Sequence, residues 1–296
     1  MKNKFWKRIK NEYLGKGFAI LCGSLILILT LTIIGFIAVK GINTFTKGDY
    51  SLTRFIFSTK WSPDGESPKF GIFTFLAGST LVSLGAVLLA SPVSIALAVF
   101  INYISPKLGE SILKPALELF VGIPSVVYGW LGITVLLPLI KNVFGGIGFS
   151  LFAGILVLSV MILPTISSLS VDALKAIPKD YLEASYGLGA TRWQTISRVA
   201  IPSAKGGILT AIVLGIARAF GEALAVQMVI GNTVKLPNNL LSPTTTLTSI
   251  LTMDMANTIS GTAWNDALWT IALVLLIVSF LFILIIRTLA LRGEIK

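Results

Sequence analysis

Arg218 and Glu222 stand four residues apart within Gly206–Ile230, an apolar stretch otherwise long enough to cross a bilayer. At helical spacing the two side chains share one face near the middle of that run. A charge at such depth costs about 3 kcal/mol on insertion scales, so intramembrane ionisable groups usually mark an ion or substrate route. A guanidinium presents paired N–H donors in a geometry that suits a tetrahedral oxyanion. Two roles are open to Arg218: contact with a passing anion, or pairing with Glu222 to lock one helix into a bundle. Glu222 either neutralises Arg218 between substrates or bridges to a neighbouring subunit. Its order after the arginine is the less favourable one for an i,i+4 pair. Ser125 and Tyr128 add hydroxyls beside Pro124, where a proline bend exposes carbonyls to a cavity. Ala211, Gly215 and Ala219 repeat at four-residue spacing and offer a close-packing face toward another span or a partner subunit.

Other chemistry is excluded by composition. The 296 residues contain no His and one Cys, Cys22, so His/Cys metal sites and Ser/His or Cys/His catalysis are ruled out. No Gly-x-x-x-x-Gly-Lys-Ser/Thr phosphate loop is present, so the chain alone hydrolyses no nucleotide. No pair of acids is placed for acid–base catalysis either. The chain is expected to transport rather than to catalyse, and to need no cofactor.

The elements that must position these residues are membrane helices. Hydrophobic residues make up 54% of the chain and charged ones 12%, with a mean hydropathy of +0.87. Lipid must cover surface of that kind. The fold class is all-α, with six transmembrane helices expected at 18–40, 72–101, 115–140, 151–171, 206–230 and 268–290. The first is read as a retained span, since it is longer than a signal-peptide core. The formal charge of +11 gathers at Lys2, Lys4, Lys7, Arg8, Lys10 and Lys16, just before the first span. That placement marks a cytoplasmic flank, not a nucleic-acid tail. Of the 24 Lys and Arg residues, sixteen fall on the side of the N-terminus, seven on the other, and Arg218 within a span. Both termini are therefore expected in the cytoplasm of a multi-pass inner-membrane protein. The layout reads as a basic N-terminus (1–17), a first helix and external loop (18–71), a transmembrane domain (72–290) and a cytoplasmic tail (291–296). Two long external loops, 41–71 and 231–267, offer surface to an external partner.

Between the fourth and fifth spans lies a polar segment, 172–205, that has to live in water. It carries Glu183-Ala184-Ser185-Tyr186-Gly187-Leu188-Gly189-Ala190 and then Val199-Ala200-Ile201-Pro202. Pro178 starts a short helix, and Gly187 and Gly189 permit a sharp bend into a second. Tyr181, Leu182, Leu188 and Ile196 supply apolar knobs, rimmed by Lys179, Asp180, Glu183 and Arg192. An exposed helix pair of this kind suits docking in a groove of another protein. The competing reading is a connector lying on the membrane surface.

This segment resembles the EAA loop of binding-protein-dependent ABC importer permeases, with Ser185 at the third position, Gly189 as the spaced glycine and Pro202 as the closing proline. Gly122–Gly129, Ile162–Thr165 and Arg218–Glu222 resemble the phosphate importer permeases, and Ala225–Asn232 is similar to the PstC type rather than its PstA-type partner. The resemblance implies a MetI-like type I importer fold with Glu183, Ala184, Ser185, Gly187, Gly189 and Pro202 in ATPase coupling. It further implies inorganic phosphate as substrate, a PstA-like second permease, two cytoplasmic ABC ATPase subunits and an extracytoplasmic phosphate-binding protein. The alternatives are the PstA-type subunit, a permease for molybdate or sulfate, or an ATP-independent channel or membrane scaffold.

Overall fold

The computed structural model describes residues 14–46, 50–64 and 67–292. The basic positions 2–10 and the last residues of the expected tail lie outside them. Thirteen helices are named in chain order. These are α1 (Leu14–Thr46), α2 (Leu52–Phe57), α3 (Phe73–Val99), α4 (Lys114–Gly122), α5 (Ser125–Leu131), α6 (Leu137–Phe144) and α7 (Leu151–Lys175), followed by α8 (Lys179–Gly187), α9 (Arg192–Thr195), α10 (Lys205–Gly221), α11 (Leu224–Ile230), α12 (Leu247–Asp254) and α13 (Ala263–Arg292). Five helical stretches are long and apolar enough to cross a membrane, and a sixth is counted if a pair bent by 66°, Arg192–Ser203 with Lys205–Gly221, is one span.

The centre of the bundle is α7. Its face of Leu151, Ile155, Leu158, Ile162 and Ile166 is buried on almost every turn, because three neighbours cover it. Helix α3 runs parallel to it, tied by Ser159 Oγ to the Ala86 carbonyl (3.3 Å) and Ser94 Oγ to the Leu163 carbonyl (3.1 Å). Helix α10 runs antiparallel, and its small-residue stripe is the reason it comes close. A Cβ added at Gly215 would meet the Ile166 side chain at 2.7 Å. The stripe therefore packs inside this chain. Helix α5 passes outside, with Gly129 against Ala225 and Met228 of α11.

The two ends differ. At one end, Val171, Leu174, Ile196, Ala200 and Ile208 form a small core beneath the segment 176–204, expected to couple to an ATPase. At the other, Phe55, Phe70, Ile72 and Phe75 pack with Leu247, Ile250 and Leu268. The described parts of 41–71 and 231–267 thus fold together into one cap, which includes the short antiparallel pair Trp61–Ser62/Lys69–Phe70. The closest approach joins cap to bundle: a Cβ on Gly78 of α3 would sit 2.0 Å from the Thr245 carbonyl oxygen. Backbone cannot yield as a side-chain tip does, and overpacking costs about 1–3 kcal/mol or more. Gly78→Val is expected to cut the yield of folded protein in detergent at least several-fold. Gly122→Ala, where an added Cβ meets nothing within 4 Å, should leave it unchanged; equal yields would refute the packing account.

Two of the expected spans are not continuous. The run 115–140 divides at Ile123–Pro124, so the crossing helix is Ser125–Phe144 and α4 is a separate short helix. Pro124 has no N–H for the Phe120 carbonyl four residues back, and its ring clashes there. The run 206–230 ends its helix at Gly221 and restarts at Leu224. Pro92 and Pro164, by contrast, sit inside unbroken helices.

A different proline effect recurs. Five-residue π turns occupy Phe100–Ile104, Gly109–Leu113, Gly132–Leu136 and Ile196–Ala200. Each ends two residues before a proline: Pro106, Pro115, Pro138 and Pro202. In every case the residue just before the proline donates its N–H to the carbonyl five positions back. In a regular helix the proline ring would clash with the carbonyl four residues before it, and in each case the widened turn falls at that residue.

Candidate translocation site and coupling elbow

Arg218 lies in the last turn of α10, not at the midpoint of a long helix. Its guanidinium still meets the bundle centre, because it donates from Nη1 to Thr165 Oγ1 at 2.6 Å. Thr165 is the fifteenth of the 25 residues of α7. A cation at a helix carboxyl end is favoured by the uncapped carbonyls, worth about 0.3–1 kcal/mol at exposed sites.

Glu222 no longer shares a helix face with Arg218. Its backbone is extended (φ −74°, ψ 127°), which turns its side chain forward along the chain. The carboxylate accepts from the Ala225 N–H at 2.9 Å, capping the start of α11. Its own carbonyl accepts from Thr248 Oγ1 at 2.8 Å, which fixes the break against the cap. Among the described residues the ion pairs are Lys114–Asp172 and Lys175–Glu110, and Arg218–Glu222 is not one of them. The i,i+4 pairing expected from spacing fails because the helix that would align the two ends between them. Each charge instead faces a helix end of complementary sign.

Tyr128 is 5% exposed, and its hydroxyl donates to the Phe120 carbonyl at 2.8 Å. It thus adds a second donor to a carbonyl that already accepts from the Ile123 N–H at 3.3 Å, and little of it faces a cavity. Ser125 is half-buried at the start of α5, one residue after the break. Thr165 was quoted in the sequence only as part of a motif. Its position directly after Pro164, on the face that α10 covers, is the signal that could have placed it beside Arg218.

The elbow between α7 and α10 is two short helices closed by a tight turn. Gly189 has φ +80°, a left-handed value that costs glycine nothing. The Gly189 N–H meets the Tyr186 carbonyl (2.9 Å) and the Ala190 N–H the Ser185 carbonyl (3.2 Å), the paired bonds of a Schellman closure. Gly187 remains in the helix, so only one of the two glycines makes the bend. Thr191 opens α9 with a reciprocal capping box to Gln194. Ser185 Oγ lies 3.0 Å from Thr195 Oγ1 and fastens the two helices together.

Which side chains this leaves outward differs from expectation. Tyr181 and Leu188 are exposed, Leu188 at 89%. Ile196, read as an exposed knob, is 2% exposed and belongs to the core below. Tyr186 and Trp193, at 47% and 65%, take its place on the surface. Glu183 and Ala184 are exposed, and so is Pro202 at the far end of the segment.

The sequence profile described as "Binding-protein-dependent transport system inner membrane component" matches residues 90–292. The chain belongs to this family. It is 48% identical over 286 residues to the probable ABC transporter permease protein YqgH of Bacillus subtilis, covering 96% of this chain and 93% of that one. Phosphate transport system permease protein PstC of Xylella fastidiosa is 33% identical over 80% of this chain and 78% of its own. PstC of Mesorhizobium japonicum is 32% identical over 90% and 87%. Among solved structures, a bacterial alginate ABC transporter in complex with a pentasaccharide-bound periplasmic protein superposes with a TM-score of 0.65, at 18% identity and 97% coverage of both chains. The inward-facing MetNI methionine ABC transporter gives 0.57, at 21% identity, over 75% of this chain and 94% of that one. The fold is thus the MetI type. As a member of the family, the chain is an inner-membrane permease subunit of an ABC transporter; ATP hydrolysis belongs to a separate subunit, and partners of the ATPase and substrate-binding classes follow.

Proposed function

We propose that this permease conducts inorganic phosphate inward as the PstC-type half of a heterodimeric core, with a PstA-like subunit as the other half. The observation that carries the reading is Arg218: a half-buried guanidinium at mid-bundle with one N–H held by Thr165 and, among the described residues, no carboxylate paired to it. Of the five donors of a guanidinium, most stay available to a dehydrated anion. The substrate assignment draws on the PstC relatives at 30–33% identity.

In this reading the N- and C-termini and the segment 172–205 lie in the cytoplasm. Two ATPase subunits grip the elbows of the two permeases, with Tyr181, Tyr186, Leu188 and Trp193 as apolar contacts and Glu183 as the charged one. The cap receives a phosphate-loaded binding protein. Closure of the ATPases pulls both elbows, and α7 and α10, continuous with each elbow, carry the movement to Arg218. Ser125, next to the Pro124 break, lies along the same route, with Tyr128 holding the break in shape.

Competition in proteoliposomes tests the substrate. With the cognate binding protein present, phosphate is expected to stimulate ATP turnover and to block labelled uptake, whereas equal sulfate or molybdate does neither. Turnover driven by sulfate or molybdate would overturn the assignment.

A further inference from the structure

We propose that a cleft at the coupling end, separate from the translocation route, binds a phosphoryl anion. The cleft has a volume of about 470 Å³ and lies between residues 101–114 and the start of the elbow; Asn102, Glu110, Lys114, Lys175, Lys179 and Leu182 are among its lining residues. Three ammonium groups line the cleft with the Glu110 carboxylate, and Asp172 stands beside Lys114, leaving one positive charge in surplus.

The pairs already present are of a kind that a multivalent anion displaces. Lys175 Nζ is 3.0 Å from Glu110 Oε1, and Lys114 Nζ is 3.9 Å from Asp172 Oδ1. All four side chains are at least a third exposed, and exposed pairs of this type contribute little. Lys179 has no carboxylate partner among the described residues. The Lys175 ammonium, by hydrogen bond and by charge, holds the Glu110 carboxyl below the usual carboxylate range. Glu110 is therefore ionised at neutral pH and competes for the site.

The lysines come from separate elements: Lys114 from α4, Lys175 from the end of α7 and Lys179 from the first turn of α8. One phosphate group bridging them would brace the docking helix against the bundle; that consequence, though not the binding itself, rests on the coupling reading above. Basic clefts at helix ends take lipid headgroups, and free phosphate offers the same chemistry.

The test uses the intact permease–ATPase complex in two arms. In the first, native mass spectrometry counts phosphatidylglycerol retained from nanodiscs. In the second, equilibrium dialysis measures labelled inorganic phosphate. In one arm, the triple variant Lys114→Gln, Lys175→Gln, Lys179→Gln is expected to bind about tenfold more weakly or worse. Glu110→Gln should bind several-fold more tightly in that same arm, a gain that a purely structural role for the Lys175–Glu110 pair does not give. The responding arm identifies the source. Arg218→Ala removes the translocation site without touching this one, so failure of the two proposals is read separately. Unchanged binding in both arms for all cleft variants would overturn the inference.

Discussion

Arg218→Ala is expected to lower phosphate uptake by at least two orders of magnitude while the permease still assembles with its partners. A hydrogen bond to a charged group contributes about 1.5–3 kcal/mol, and about 1.4 kcal/mol is a factor of ten. Losing a bidentate contact to a dehydrated anion therefore removes roughly 10²–10⁴ of the rate through the site. The structural loss is far smaller. Thr165 forfeits one donor, but its hydroxyl can bond within its own helix, as Thr80 does to the Leu76 carbonyl at 2.8 Å. Arg218→Lys should recover part of the uptake, since it keeps the charge and loses the fork. Labelled phosphate uptake, beside affinity purification of the complex, measures both quantities. Near-wild-type uptake by the alanine variant would leave Arg218 as a packing residue tied to Thr165.

Glu183→Lys should uncouple the motor. Glu183 is exposed and makes no ion pair among the described residues, so its reversal costs this chain within about 0.5 kcal/mol. At an interface the same change replaces an attraction by a repulsion, worth about 2–5 kcal/mol when the contact is desolvated. The expected result is uptake reduced at least tenfold, with ATP turnover no longer stimulated by the loaded binding protein. Thermal stability of the purified permease should hardly move. If stimulation persists at the wild-type level, the elbow is not the docking element, and a surface connector becomes the better description.

How much of this was legible beforehand depends on the range of the forces involved. Helix number and family were readable because long apolar runs and the Glu183–Pro202 spacing are local patterns. The small-residue stripe at Ala211, Gly215 and Ala219 was also readable, though not which helix would cover it; the answer, α7, is a tertiary fact. The break at Gly221–Ala223 was missed. Nothing in Gly206–Ile230 forbids a continuous helix, and the break is held by Thr248, 26 residues on, and by Glu222 capping the new helix. The Glu222 bond is local, but the Thr248 bond exists only once the cap is folded. The fate of Ile196 shows the same limit: in the π turn that follows α9 it is one apolar residue among several, and only its packing with Val171 and Leu174 decides that it turns inward. The split at Pro124 was half visible. The proline foretold a bend, but the Tyr128 bond to the Phe120 carbonyl required knowing that the ring folds back over it.

The four wide turns change what their prolines do to the chain. In a regular helix the ring is a wedge, and the angle it sets is permanent. Set after a turn that holds one residue more than its neighbours, the ring is a stop against which slack is gathered. Three of these reserves, at 100–104, 109–113 and 196–200, lie around the elbow. Each gathers one extra residue, about 1.5 Å of helical rise, into the stretch of chain beside the elbow.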